Sequence, residues 1–235
     1  MSMNTVNERI AALRAAMEAQ GCAAYIIPTG DPHSSEYLPT HYNSREYFSG
    51  FTGENSNLVV TRAGSALWAD GRFFVQAEKQ LAGTEIALQK MGEPGVPTVE
   101  EYCAKALNEG EALGLCGFTA ACGLVRSLQK ALDAKHCTIK TLHLEDELWT
   151  EGRPELPATP AWILSKEYAG FSPAEKLDQL RTKLKELGCT AQFVGKLDNL
   201  AWLLNLRAMD IHCTPYAMAF CYVTSDKAVL FINTA

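Results

Sequence analysis

Long runs of any one kind are what this sequence lacks. Its 235 residues carry a formal net charge of −6 and no basic run longer than two residues, so the electrostatic footprint of a nucleic-acid binder is missing. No apolar stretch approaches the roughly 18 to 20 residues needed to span a bilayer, and residues 1–8 show no charged-then-apolar leader pattern. HExxH, GxSxG and GxxxxGK[ST] are all missing. With them go the common sequence signs of metal-assisted, nucleophilic and phosphate chemistry. The eight cysteines, at 22, 103, 116, 122, 137, 189, 213 and 221, include no CxxC pair. Scattered through apolar segments, they are expected as buried reduced thiols rather than zinc ligands, and a reducing cytoplasm is the compartment they fit. At 47% hydrophobic and 20% charged residues, disordered and collagen-like compositions are excluded. The length suits one large domain or two modest ones.

What is present is a repeat. Residues 9–27, RIAALRAAMEAQGCAAYII, are echoed by 176–194, KLDQLRTKLKELGCTAQFV. Leu13, Arg14, Gly21, Cys22 and Ala24 recur as Leu180, Arg181, Gly188, Cys189 and Ala191. Apolar residues fall at helical spacing in both copies. Thr5 with Glu8, and Ser172 with Glu175, stand at capping-box spacing, with Pro173 at the first helical position. Gly21 and Gly188 stand where a left-handed C-terminal cap is wanted, and a short apolar strand follows each. Downstream, EYFSGF (46–51) parallels AWLLNL (201–206), and residues 57–71 parallel 220–234 as strand, turn and strand.

The first copy then continues. Helices are predicted over 72–81, 99–107 and 121–134, and extended segments over 85–90, 113–116 and 138–142. Strands alternating with helices imply an α/β unit with a mixed sheet. Pro154, Pro157 and Pro160 forbid a helix or central strand and mark a linker. The expected organisation is a first domain over 1–149, a linker over 150–160 and a second domain over 161–235. The second copy reaches only the point equivalent to Arg72, so it is expected to be incomplete, the polypeptide having been cut.

Few side chains gather as a site. His143, Glu145, Asp146 and Glu147 invite a metal reading, but a solvated helical face leading to Leu144, Leu148 and Trp149 explains them better. His33, beside Asp31 and before Ser35 and Glu36, fits local hydrogen bonding that fixes a loop. Gly50 to Glu54 reads as an ordinary turn. Arg207 and Asp210 read as structural, paired with each other or with the first domain. In Trp68-Ala69-Asp70-Gly71-Arg72 a strand ends at Asp-Gly, and Arg72 could present its planar fork to a carboxylate or carbonyl. An ion pair with Asp70 or Glu54 is the plainer reading.

These residues resemble the N-terminal part of the three-domain aminopeptidase P family, the Xaa-Pro aminopeptidases. The resemblance runs through AAYIIPTGDPHSSEY (23–37), REYFSGFTGENSNLVVT (45–61), ALWADGRFFVQAEKQL (66–81), LEDELWTEGRPELP (144–157) and DNLAWLLNLRAMDI (198–211). DxHxSEY, WxDGR and AWLxNLR are its specific motifs. It implies an α/β fold: a creatinase N-terminal, ribonuclease H-like domain with a mixed sheet flanked by helices, followed by a partial second copy. It implies no catalytic residue and no metal ligand in this chain. Two divalent metals, manganese, would sit in a separate C-terminal catalytic domain, and the cleaved peptides carry proline at the second position. A homodimer is implied, with neither nucleic acid nor membrane as partner. Arg72 matches the family arginine that reaches toward bound peptide. The run Gly53-Glu54-Asn55 departs from the small pair common after GFxGS, so a loop near the peptide differs. The alternative is a free-standing interaction protein without the catalytic domain.

Overall fold

Capping residues set the first helix in place. In the computed structural model, which describes residues 5–233, α1 (Val6–Ala19) starts at Thr5 with a complete capping box to Glu8. It ends in a Schellman turn: Gly21 has φ +63, its N–H donates to Glu18, and Cys22 N–H reaches back to Met17 O at 2.8 Å. β1 (Ala24–Pro28) follows. After an excursion over 31–41 come α2 (Ser44–Ser49), β2 (Asn57–Thr61), β3 (Ser65–Ala69), α3 (Phe74–Gln80) and β4 (Ile86–Lys90). α4 (Val99–Ala106), β5 (Ala112–Leu115), α5 (Cys122–Leu132), β6 (Thr138–Thr141) and α6 (Leu144–Leu148) complete this unit.

Its six strands lie in the order β4-β3-β2-β1-β5-β6. The β1–β2 and β2–β3 pairs are antiparallel and the others parallel. Ile10, Leu13 and Met17 of α1 pack with Tyr25, Ile27, Leu58, Val60 and Leu67 on one face. On the other, Val99, Cys103, Leu128 and Leu132 of α4 and α5 meet Ile26, Val59, Ala66 and Trp68. Both faces of the central strands are covered, which is why AYIIP, NLVVT and SALWA read as unbroken apolar runs instead of alternating.

The second unit repeats this grammar. β7 (Trp162–Ile163) and α7 (Lys166–Ala169) lead into α8 (Pro173–Glu186), β8 (Ala191–Val194), α9 (Leu197–Leu204), β9 (Leu206–Arg207), β10 (Ala219–Thr224) and β11 (Ala228–Ile232). α8 starts with the Ser172/Glu175 capping box and ends with Gly188 at φ +69 and Cys189 N–H on Leu184 O at 2.8 Å. The three-stranded sheet runs β11-β10-β8, and its register copies the first. Ala24 faces Thr61 as Ala191 faces Thr224, and Asn57 faces Trp68 as Phe220 faces Phe231. The shared arginine also does the same work twice. Arg14 Nε donates to Thr61 O at 2.8 Å, and Arg181 Nε to Thr224 O at 3.0 Å. The repeated helices α2 and α9 end alike, on left-handed Gly50 and Asn205.

The first unit comprises Met1–Gly30 and Tyr42–Pro154; the second comprises Asp31–His41 and Glu155–Ala235. Residues 150–160 hold no helix or strand, as three prolines require. The grouping of 31–41 with the second unit is a tertiary feature that no local pattern announces.

Candidate functional site

The turn after β3 carries the candidate substrate residue. Asp70 caps a 3₁₀ turn over Gly71–Phe73, its Oδ1 accepting from Arg72 N at 3.0 Å. The same carboxylate takes the guanidinium in bidentate fashion, Nε to Oδ1 at 3.1 Å and Nη2 to Oδ2 at 2.8 Å. That hydrogen bond from Arg72 is the main reason the Asp70 carboxyl sits below its ordinary range. The Arg72 side chain is nonetheless 65% exposed and lies 5.1 Å from the centre of the Phe73 ring. Ion pair and display coexist: Asp70 sets the direction of a fork that stays in solvent.

Next to this turn lies the Phe51–Gly53 loop, Phe51 meeting Phe73 edge-on at 6.2 Å. Arg45, buried and unremarked in the sequence, holds that loop from within. It donates to the carbonyls of Phe51 and Gly53 and to Thr29 Oγ1. Burial lowers its pKa to about 10, which leaves it charged at neutral pH. From α3, Gln80 Oε1 accepts from Thr52 N at 3.0 Å and Gln76 Nε2 donates to Thr52 Oγ1 at 2.8 Å. The one sequence signal for Arg45 is a lone cation just before the apolar stretch YFSGF.

The DPHSSEY loop belongs to the second unit and is fixed as expected. Asp31 Oδ1 accepts from the backbone of His33 and Ser35, both at 2.9 Å. His33 Nδ1 donates to Gly195 O at 2.8 Å, and its ring stacks on Phe220 at 4.2 Å. Asp31 Oδ2 and Ser35 Oγ are buried without a protein partner. A cavity of about 200 Å³ opens here between 33–37 and the start of α9.

Three expectations need correction. Glu145 is no part of a solvated face: it is 3% exposed and accepts a hydrogen bond from Tyr25 Oη. Burial pushes its carboxyl up to about 7, and burial, then the carboxyl, pushes the Tyr25 phenol up too. Of its neighbours, Asp146 pairs with Arg153 and lies 3.7 Å from His143 Nδ1, which is also 3.6 Å from Cys116 Sγ. Arg207 and Asp210 are structural but have separate partners. Arg207 Nη1 donates to Ala201 O and Leu206 O, whereas Asp210 ties Thr159 N and Oγ1 to Met218 N. Of the free cysteines, 122, 189 and 213 are exposed rather than buried. Among the described residues no three His, Cys, Asp or Glu side chains are grouped to hold a metal ion.

The duplicated helix–strand frame, the Asp70-oriented arginine and the His33 loop define an α/β module made of two related units. Residues 9–145 and 152–235 each match a creatinase/prolidase N-terminal domain, and the chain belongs to that family, in the form found in the N-terminal region of Xaa-Pro aminopeptidases. It is 37% identical over 235 residues to aminopeptidase P2 of Arabidopsis thaliana, covering 98% of this chain and 33% of that protein. A probable Xaa-Pro aminopeptidase P of Laccaria bicolor is 38% identical, with 99% and 37% covered. The solved X-prolyl aminopeptidase of Caenorhabditis elegans, described as cytosolic with a di-nuclear active site, matches with TM-score 0.92 and 32% identity, covering 99% of this chain and 39% of that one. The chain thus spans about a third of the length of the curated relatives it matches.

Proposed function

We propose that this chain is the non-catalytic front region of a cytoplasmic, metal-dependent Xaa-Pro aminopeptidase, which removes the residue preceding an N-terminal proline. In that reading it walls the substrate cleft, supports a homodimer and contributes Arg72 to the peptide. The paired divalent ions, manganese, belong to a catalytic domain outside these 235 residues, where they would activate the attacking water. The work of this chain is binding and exclusion. Arg72 offers a planar charged donor to a peptide carbonyl or carboxylate, and Asp70 keeps the fork oriented before substrate arrives, which lowers the ordering cost of binding.

The observation that carries this reading is the match of almost the whole chain, at TM-score 0.92, to a solved X-prolyl aminopeptidase. In the longer polypeptide, Arg72→Ala is expected to lower kcat/KM for an Xaa-Pro-Pro peptide by roughly 10- to 100-fold, the worth of one charge-assisted hydrogen bond. An exposed side chain makes the stability change small, within about 0.5 kcal/mol. Arg72→Lys should recover only part of the loss, because an ammonium cannot reproduce the fork. Steady-state kinetics beside thermal melting decide it, and unchanged kinetics for Arg72→Ala would remove the role.

A further inference from the structure

Beneath the Phe51–Gly53 loop lies a charge that the repeated fold does not itself require. Arg45 is 7% exposed. Its Nε donates to Thr29 Oγ1 at 3.2 Å, and its two terminal nitrogens donate to the carbonyls of Phe51 and Gly53. These acceptors are all neutral, so a full charge is held largely out of water by uncharged partners, an arrangement that costs stability. The repeat supplies the comparison. EYFSGF (46–51) aligns with AWLLNL (201–206), which puts Leu200 at the position of Arg45. Leu200 is fully buried in the core of the second unit, so the repeated helix packs well with an apolar side chain there. The cation serves the loop.

That loop is closely tied. Thr29 Oγ1 also accepts from Ser56 N at 3.1 Å and donates to Ser56 O at 3.0 Å, which pins the far end of the loop to the end of β1. Gly53 passes so close to the Phe51 ring that a Cβ there would overlap it, and the Arg45 guanidinium lies 5.2 Å from the same ring centre. The buried Phe51 ring meets Phe73 edge-on, and Phe73 directly follows Arg72, whose guanidinium lies over it. From α3, Gln76 and Gln80 both donate to Thr52 Oγ1, at 2.8 and 2.9 Å. The turn that displays Arg72 is therefore docked on the loop twice, through Phe73 and through α3.

We propose that Arg45 is a positioning residue for peptide binding: it holds the Phe51–Gly53 loop as the platform that sets where Arg72 presents its fork. The proposal rests on the reading of Arg72 as a peptide-contacting residue in a longer Xaa-Pro aminopeptidase. A planar group with five donors bridges acceptors on two separate segments, Thr29 and the loop. A lysine ammonium at the same place keeps the charge and loses the bridge. Small movements matter here, since a misplacement of about 1 Å in a positioned group is enough to cost on the order of 100-fold in rate.

The test is a double-mutant cycle in the natural full-length enzyme, with kcat/KM for an Xaa-Pro-Pro peptide read beside thermal melting. Arg45→Lys is expected to lower kcat/KM about tenfold when Arg72 is present, and less than about twofold in an Arg72→Ala background, because both changes remove the same contact. Gln80→Ala loosens Thr52 from the α3 side and leaves the core intact. It should show the same dependence on Arg72 at about threefold, and it carries the test if Arg45→Lys does not fold. Equal losses in the two backgrounds, or no loss in either, would mean that the loop serves stability alone; that result overturns the proposal and leaves Arg72 its role. Unchanged kinetics for Arg72→Ala itself would remove the underlying reading, and this proposal with it.

Discussion

Glu145 shows how a single buried group ties the first unit to pH. Its folded carboxyl holds a proton up to about pH 7, against an ordinary value of 4.5. The folded state therefore binds the proton more tightly than the unfolded chain. The stability this contributes is fully present below pH 4.5 and is lost as pH rises through about 7. The group's share of that loss is on the order of 3 kcal/mol at most. Glu145→Gln keeps an acceptor for Tyr25 and removes the titration. Urea melts at pH 5 and pH 8 should show a smaller difference between the two pH values in the variant than in the parent. Equal differences would mean that Glu145 ionises normally in the folded protein. The sequence misplaced this residue for a plain reason. Three acids in a row look solvated, and only the arrival of Tyr25 from a distant strand shows which one turns inward.

At the scale of elements the sequence was far more informative, because caps are local. The capping boxes at Thr5 and Ser172 form as spaced, and Thr98 builds a third with Glu101 at the start of α4, since each needs only the hydroxyl and carboxylate of one helical turn. Ser172→Ala and Thr98→Ala should each cost about 1 kcal/mol, read as a shift in the denaturant midpoint at unchanged slope. A change in slope would point instead to an altered native or unfolded state. The glycine C-caps at Gly21 and Gly188 were equally visible, whereas the left-handed ends of α2 and α9 on Gly50 and Asn205 emerged only in the structure. Arg72 lies between these cases. Its turn was legible from Asp-Gly-Arg, and its ion pair with Asp70 was foreseen, but its solvent exposure despite that pair came from the fold.

For the whole molecule the two units differ in how fully their sheets are covered. The first has a core on each face. The second has one cluster, with Val229, Leu230 and Phe231 of β11 exposed. Exposed apolar strand edges are association liabilities, and backbone hydrogen bonds open to solvent exchange first. Native-state hydrogen exchange of the 235-residue chain should therefore find β8 and β11 less protected than β1 and β3, with protection rising as the chain self-associates. Equal protection in a monomer would contradict the difference in burial.

The sequence by itself determined the repeat, the capped helix that opens each copy, the strand-turn-strand pairing that follows and the proline-rich break, because each is written in residues a few positions apart. Its apolar periodicity was enough to give an α/β fold with a mixed sheet. The tertiary structure alone decided which polar groups are buried, and it did so at Glu145, Arg45 and Lys176. It also assigned Asp31–His41 to the second unit. Desolvation depends on what packs against a side chain from far along the chain, and local spacing carries no record of that.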